Sequence, residues 1–221
     1  MKFATLTPAT ADISLAEQAY LVLRDRLVML DIAPGSPMNE QQLSHELEMG
    51  RTPIRESLKR LEIDHLVVSY PRQGTFASRI DIGDLASISE MRLVLEPHAA
   101  ERAAYDASAE SRAILAAWAD EIRQFTKLDY QNRELIELDL SVHRAIYQTL
   151  DNPYMQETLI RLDNLATRLW LSVLDRVPSV AHHVAEHVEL IEAIVAGDGA
   201  KAAAISREHI VNFETAVRAA L

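Results

Sequence analysis

The chain has 221 residues, 48% of them hydrophobic and 25% charged, with a formal net charge of −11. That is enough for one large or two small globular domains, and too acidic for nucleic acid to be held by a global positive field. Cysteine is absent, which excludes disulfides and thiolate metal centres, and no apolar run approaches the ~20 residues of a membrane-spanning helix.

The first residues, "MKFATLTPATADIS", lack the continuous apolar core of a signal peptide. The expectation is a cytoplasmic protein that touches no membrane. With only six glycines and abundant Ala, Leu, Glu and Arg, the sequence favours helices. Ser14 followed by Glu17 reads as a capping box opening a helix through "LAEQAYLVLRDRLVML". "DIAPGSPM" breaks it. Asn39 with Gln42 reads as a second capping box, with Met38 and Leu43 as its hydrophobic staple. A turn at Met49-Gly50 precedes a third helix, for which Thr52-Pro53 is a suitable start.

In that third helix Ile54, Leu58 and Leu61 share one face, and Arg51, Arg55 and Lys59 share another. The apolar face must pack, so the basic face points out. "LVVSY", a turn at "PRQG" and "TFASRI" then form a small hairpin. Charge is uneven along the chain. Residues 1–78 balance at −2 (eight Lys and Arg against ten Asp and Glu), the remainder at −9 (fourteen against twenty-three). The cations at Arg51, Arg55, Lys59 and Arg60 are thus a local patch on an acidic molecule.

This order of elements is that of a winged helix-turn-helix, with the third helix in a major groove and its first turn at base edges. Arg51 and Arg55 suit bidentate contact with guanine or phosphate, while Lys59 and Arg60, further along, suit the phosphate backbone. Arg72 and Gln73 occupy the hairpin tip. A solvated charged helix face is the alternative for the charge spacing taken alone.

Beyond "SRIDIGDL", read as a hinge over 79–84, the pattern is almost wholly helical. Six helices are expected in an antiparallel bundle over 85–221. They start near Asp84, Ser108 (running to about Leu128), Asn132, Asn152-Pro153, Ser179 and Asp198. Asp139 and His143 lie four apart in "DLSVH", on one helix face. His187 sits among Val184, Leu190, Ile191 and Ile194, and His209 beside Ile205 and Phe213, so both lean inward. Taken singly, each histidine reads first as a hydrogen-bonded core residue. Together, three neutral imidazoles and a carboxylate suit Zn, Ni, Mn, Fe or Co.

"PGSPMNEQQLSHELEMGRTPIRESLKRLEIDHLVVSYPRQGTF" resembles the DNA-binding domain of GntR-type bacterial regulators, nearly position by position over "RTPIRESLKRLE". The resemblance implies a mainly α protein with an amino-terminal winged helix-turn-helix over 1–78. It further implies that Arg51, Thr52, Arg55 and the wing residues Arg72, Gln73 and Gly74 meet DNA. Gly50 replaces the family's usual Ser, and His65 stands where Gly is usual, a position expected to have positive φ. "EMRLVLEPHAAERAA", "DLSVH", "HVELIEAIVAGD" and "REHI" are similar to the FCD effector domain of the FadR-type branch. That resemblance implies a divalent metal, zinc first, held by Asp139, His143, His187 and His209. It leaves His182 and His183 outside the pattern, as loop or surface residues. Arg92, matching the family's Arg on the first helix, is then expected to pair with a carboxylate effector.

The whole implies a homodimeric repressor that binds an operator duplex and answers to a small organic acid. A metal-dependent enzyme acting on a small carboxylate is a different reading of the same ligands, though no separate general acid or base is evident. A regulator whose metal is only structural is a third.

Overall fold

The computed structural model describes residues 13–125, 131–177 and 179–221. Leu128, the expected end of the second bundle helix, lies outside the described residues, as does the start of the amino-terminal domain. The chain divides into two compact units, Met1–Ile80 and Asp81–Leu221.

In the first unit the helices are α1 (Leu15–Val28), α2 (Glu40–Glu46) and α3 (Arg51–Ile63), followed by β1 (Val67–Tyr70) and β2 (Gly74–Ala77). Each start has a local cause. The Ser14 hydroxyl accepts from the Glu17 amide at 3.2 Å, and Asn39 accepts from the Gln41 and Gln42 amides at 2.9 and 3.0 Å. Only this half of each expected capping box forms. Glu17 is engaged by Arg60, and Gln42 donates to Glu46 at 2.8 Å. Gly50 caps α3 without a side chain. The two strands pair antiparallel, Val67 opposite Ala77 and Tyr70 opposite Gly74. The segment after α1 joins β2 on its far side: Gly35 donates to the Ala77 carbonyl, Met38 to Thr75 and Ala77 to Ser36, all at 2.8–2.9 Å. Ala19, Leu23, Leu27, Ile54, Leu58, Leu61 and Leu66 form the core beneath. His65 does adopt positive φ, at 60°, as its place in the sequence suggested.

The second unit contains α4 (Asp84–Asp106), α5 (Ala109–Phe125), α6 (Asn132–Tyr147), α7 (Pro153–Val173), α8 (Ala181–Ala196) and α9 (Gly199–Ala219). Asn152 and Asp198 cap α7 and α9 through the Met155 and Lys201 amides. Asp84 is the first residue of α4 and Gly83 its cap, so the last residue expected in the hinge is helical. α4 packs along α9 and α7, α5 along α8, and α8 along α9. α6 is buried on almost every side from Leu135 to Tyr147, making it the inner helix of the bundle, and it carries Asp139 and His143.

Candidate metal centre and nucleic-acid interface

Four of the expected donors come together. Asp139 and His143 of α6, His187 of α8 and His209 of α9 are all buried, and one ligand atom from each lies within 4.8 Å of the others. The Nε2 of His143 stands 3.2 Å from that of His187 and 3.3 Å from that of His209. Asp139 Oδ2 is 3.9 Å from the same His143 nitrogen.

What surrounds each ring decides where its proton sits. The Nδ1 of His187 faces the Val184 carbonyl at 3.2 Å, which can only accept. The Nδ1 of His209 faces the Glu186 carboxylate at 2.8 Å. The Nδ1 of His143 faces the Tyr147 hydroxyl at 3.1 Å, which has the nearby Glu96 carboxylate for its own proton. Each outer nitrogen therefore holds the N–H, and three Nε2 lone pairs point at one another. Without a cation between them that arrangement is repulsive. Two nitrogens each ~2.0–2.1 Å from one ion stand roughly 3.0–3.4 Å apart, the separations found here. Asp139 Oδ1 is buried with no hydrogen-bond partner, which also fits a cation site.

Burial, helped in His143 and His209 by the neighbouring rings and by Arg92, holds the imidazoles neutral. His187 is pulled down to about 4, and His143 and His209 well below the ordinary histidine value. Burial raises Asp139 as well, with the Asp163 and Glu96 carboxylates adding to the effect against Arg92. Neutral imidazoles and a carboxylate poised to ionise are the donor chemistry of a borderline divalent ion.

Arg92 lies beside the cluster, buried and ion-paired with Glu96 one turn on. Asp163 is 4.0 Å from its guanidinium, and the Phe213 ring lies beneath it with its centroid at 5.1 Å. Asp163 is pushed up to about 7, by burial first and then by Glu96, against the pull of Arg92 and Arg144. Glu96 also approaches His143 Nδ1, at 3.9 Å. A ligand carboxylate reaching Arg92 must therefore compete with Glu96.

Two residues of this region escaped the sequence reading. His183, expected in a loop or at the surface, is buried on the inner side of α8, because it precedes His187 by one helical turn. Its ring stacks on that of His209, centroids 4.0 Å apart and 18° from parallel. That i,i+4 spacing was the available signal. His182, one residue earlier, is 95% exposed at its side chain, as expected. Glu186, which orients His209, carried no signal beyond its helical spacing.

In the first unit α3 buries Ile54, Ser57, Leu58 and Leu61 and exposes Arg51, Thr52, Arg55, Lys59 and Arg60. Arg55 pairs with Glu40 of α2 at 2.7 Å. Among the described residues Arg51, Lys59 and Arg72 form no ion pair with a carboxylate. Arg60 is a correction: it does not reach outward for phosphate but lies over α1, ion-paired with Glu17 and stacked over the Tyr20 ring at 3.9 Å. At the hairpin tip Arg72 (φ 64°) and Gly74 (φ 103°) take left-handed conformations, and Gln73 donates to the Tyr70 carbonyl at 3.1 Å. Arg72, Gln73 and Gly74 are all exposed. A cleft of about 390 Å³ runs between the start of α2, Arg51 and residues 73–76 of the wing.

Comparison with known proteins gives the same division. Residues 15–77 match the model of bacterial regulatory proteins of the gntR family, and residues 87–212 match the FCD domain. The chain is 29% identical over 193 residues to an HTH-type transcriptional regulator in an unstable DNA locus of Streptomyces ambofaciens, covering 86% of this chain and 80% of that one. It is 24% identical over 202 residues to the HTH-type transcriptional repressor RspR of Escherichia coli, covering 91% and 88%. In fold it resembles E. coli McbR/YncC, with a TM-score of 0.80 at 20% identity over 94% of this chain and 98% of the other. The family and the two relatives are transcription regulators, so the alternative of an enzyme acting on a carboxylate is set aside.

Proposed function

This chain belongs to the GntR family of bacterial transcription regulators and carries an FCD effector domain, and on that premise we propose that it is a cytoplasmic, homodimeric repressor released from its operator by a small organic acid. The observation that carries the reading is the division of α3 into a buried apolar face and an exposed face bearing Arg51, Thr52, Arg55 and Lys59. Arg51 and Arg55 present guanidinium forks to base edges or phosphates. Lys59, a turn further on, meets the backbone as a point charge. Arg72, Gln73 and Gly74 follow the duplex from the wing. A dimer presents two copies of α3 to successive grooves of a near-palindromic site. The name of RspR supports repression rather than activation.

Asp139, His143, His187 and His209 hold the divalent metal, zinc before nickel or manganese. When bound, the metal supplies a Lewis-acidic positive centre in a buried site. Glu186, Tyr147 and the Val184 carbonyl keep the histidine protons on the outer ring nitrogens. Arg92 offers an anionic effector a second positive charge, in exchange for Glu96. An effector shifts DNA binding only as far as it prefers one state of the dimer over the other.

Duplexes selected from a random pool, titrated by fluorescence anisotropy, test both halves. An Arg51→Ala/Arg55→Ala variant should bind at least ~30-fold more weakly, since each good base contact contributes ~1–3 kcal/mol. Wild-type affinity should also fall steeply with salt. A panel of di- and tricarboxylates should include one that releases wild-type protein and leaves a His143→Ala/His187→Ala variant on the DNA. Undiminished binding by the arginine variant would defeat the DNA reading. Release of the histidine variant at unchanged acid concentration would make the metal structural only.

A further inference from the structure

Below the α8–α9 surface lies a second group of donors that the buried cluster does not use. His183, Glu186 and His209 each offer a ligand atom within 4.8 Å of the other two. Glu186 Oε2 is 3.6 Å from His183 Nδ1 and 2.8 Å from His209 Nδ1. Two of the three, Glu186 and His209, line an open cleft of about 370 Å³ together with His182, Glu189, Glu208 and Asn212.

The independent sign that something is missing is His183. Its side chain is only 10% exposed, and among the described residues neither ring nitrogen has a hydrogen-bond partner. Nδ1 faces Glu186 at 3.6 Å, and Nε2 faces the orphaned Asp139 Oδ1 at 4.0 Å. A buried imidazole ordinarily finds a partner for at least one nitrogen. This one is held in place by ring contacts alone, stacked on His209 and edge-on to Trp170 at 5.4 Å.

We propose that His183 Nδ1 and the Glu186 carboxylate bind a second divalent cation, beside the α8–α9 cleft that Glu186 lines and with donors distinct from those of the buried cluster. Imidazole with carboxylate selects borderline ions such as Zn²⁺, Ni²⁺ or Cu²⁺ over Mg²⁺ or Ca²⁺. Glu186 has one oxygen on the His183 and His209 side, while the other accepts from Asn212 at 2.8 Å and faces His182 Nε2 at 3.9 Å. One carboxylate can therefore hold the cation and still accept the His209 proton. Glu189 and Glu208 line the walls and draw cations in. With fewer protein donors and open to water, this site is the weaker of the two. It adjoins the buried site through Glu186, the stacked His209 ring and the His183 Nε2 that faces Asp139, so filling it perturbs the donor that orients His209.

Chelator-stripped full-length protein titrated with Zn²⁺ by calorimetry, and with Co²⁺ by visible absorbance, reads the stoichiometry. The wild type should take up two equivalents per chain, one tight and one weak. His183→Phe keeps the ring stack and removes both nitrogens; it should lose only the weak equivalent. His187→Ala should lose the tight one and retain the weak one. A wild type that takes up the tight equivalent alone, or two equivalents in a folded His183→Phe variant, overturns the proposal. Loss of the tight equivalent alone from the wild type would count against the buried cluster instead. Should His183→Phe fail to fold, Glu189→Gln/Glu208→Gln provides the check: those charges line the cleft alone, so the weak equivalent should weaken and the tight one stay, and an unchanged weak equivalent sinks the idea.

Discussion

Replacing Arg112 of α5 with Met should destabilise the helical unit by about 3–4 kcal/mol. The guanidinium donates Nε to the Ala107 carbonyl at 3.1 Å and Nη2 to Ala104 at 2.6 Å. Nη1 reaches both Ile194 and Val195, at 2.6 and 2.8 Å. Those four oxygens belong to the carboxy-terminal ends of α4 and α8, where carbonyls lack the i+4 amide of a helix interior and the dipole is negative; that of Ile194 also accepts from the Gly197 amide at 3.1 Å. Hydrogen bonds to a charged group contribute ~1.5–3 kcal/mol each. Four would sum to far more, but Arg112 is only partly buried, so water reclaims some oxygens, and bonds sharing one donor group are not additive. Methionine keeps much of the aliphatic stem, which isolates the polar contribution. Both tryptophans, Trp118 and Trp170, lie in the helical unit, so urea unfolding followed by tryptophan fluorescence reports on that unit directly. With a slope near 2 kcal/mol per M, the midpoint should fall by roughly 1.5–2 M. α8 carries His183 and His187, so Zn²⁺ affinity should drop with it. A loss below about 1 kcal/mol would refute the claim that this arginine ties α8 to its neighbours.

Three further outcomes are expected. Tyr20 donates to Asp64 at 2.7 Å, and its pKa is raised from 10.0 to about 12, by burial first and then by Asp64. A raised pKa means the fold favours the neutral phenol, so this contribution is complete below pH 10 and vanishes as pH climbs through 12; absorbance at 295 nm should show Tyr20→Phe losing one late-ionising tyrosine. His65→Gly should stabilise the first unit by about 1 kcal/mol in urea unfolding, because a non-glycine residue in the left-handed region costs ~1–2 kcal/mol, while DNA affinity is unchanged. Chelation should lower the melting temperature of the helical unit, since an ion at a thousandfold its dissociation constant stabilises the folded state by ~4 kcal/mol, and added Zn²⁺ should restore it.

Much of this was legible in the sequence wherever the cause is local. Ser14, Asn39, Asn152 and Asp198 start helices through bonds to amides two or three residues on, which needs no knowledge of the rest of the chain. Helical spacing likewise put Asp139, His143, His187 and His209 on inward faces. Contacts between helices were not legible. Glu17 reads as half of a capping box until α3 brings Arg60 against it. Arg60 belongs to the same run of cations as the groove-facing residues, and only the packing of α1 on α3 shows that it serves the fold. Arg112 looks like any surface charge until the ends of α4 and α8 converge on it. His183 falls outside the family pattern and so reads, like His182, as a loop or surface residue. The turn it shares with His187 was the clue.

Hydroxyl-radical footprinting of the full-length protein on a selected duplex addresses the account most directly. Two protected half-sites about 10 base pairs apart on one face of the duplex should appear with wild-type protein and vanish with Arg51→Ala/Arg55→Ala. The same protections persisting in that variant would mean that α3 is not the element reading the DNA.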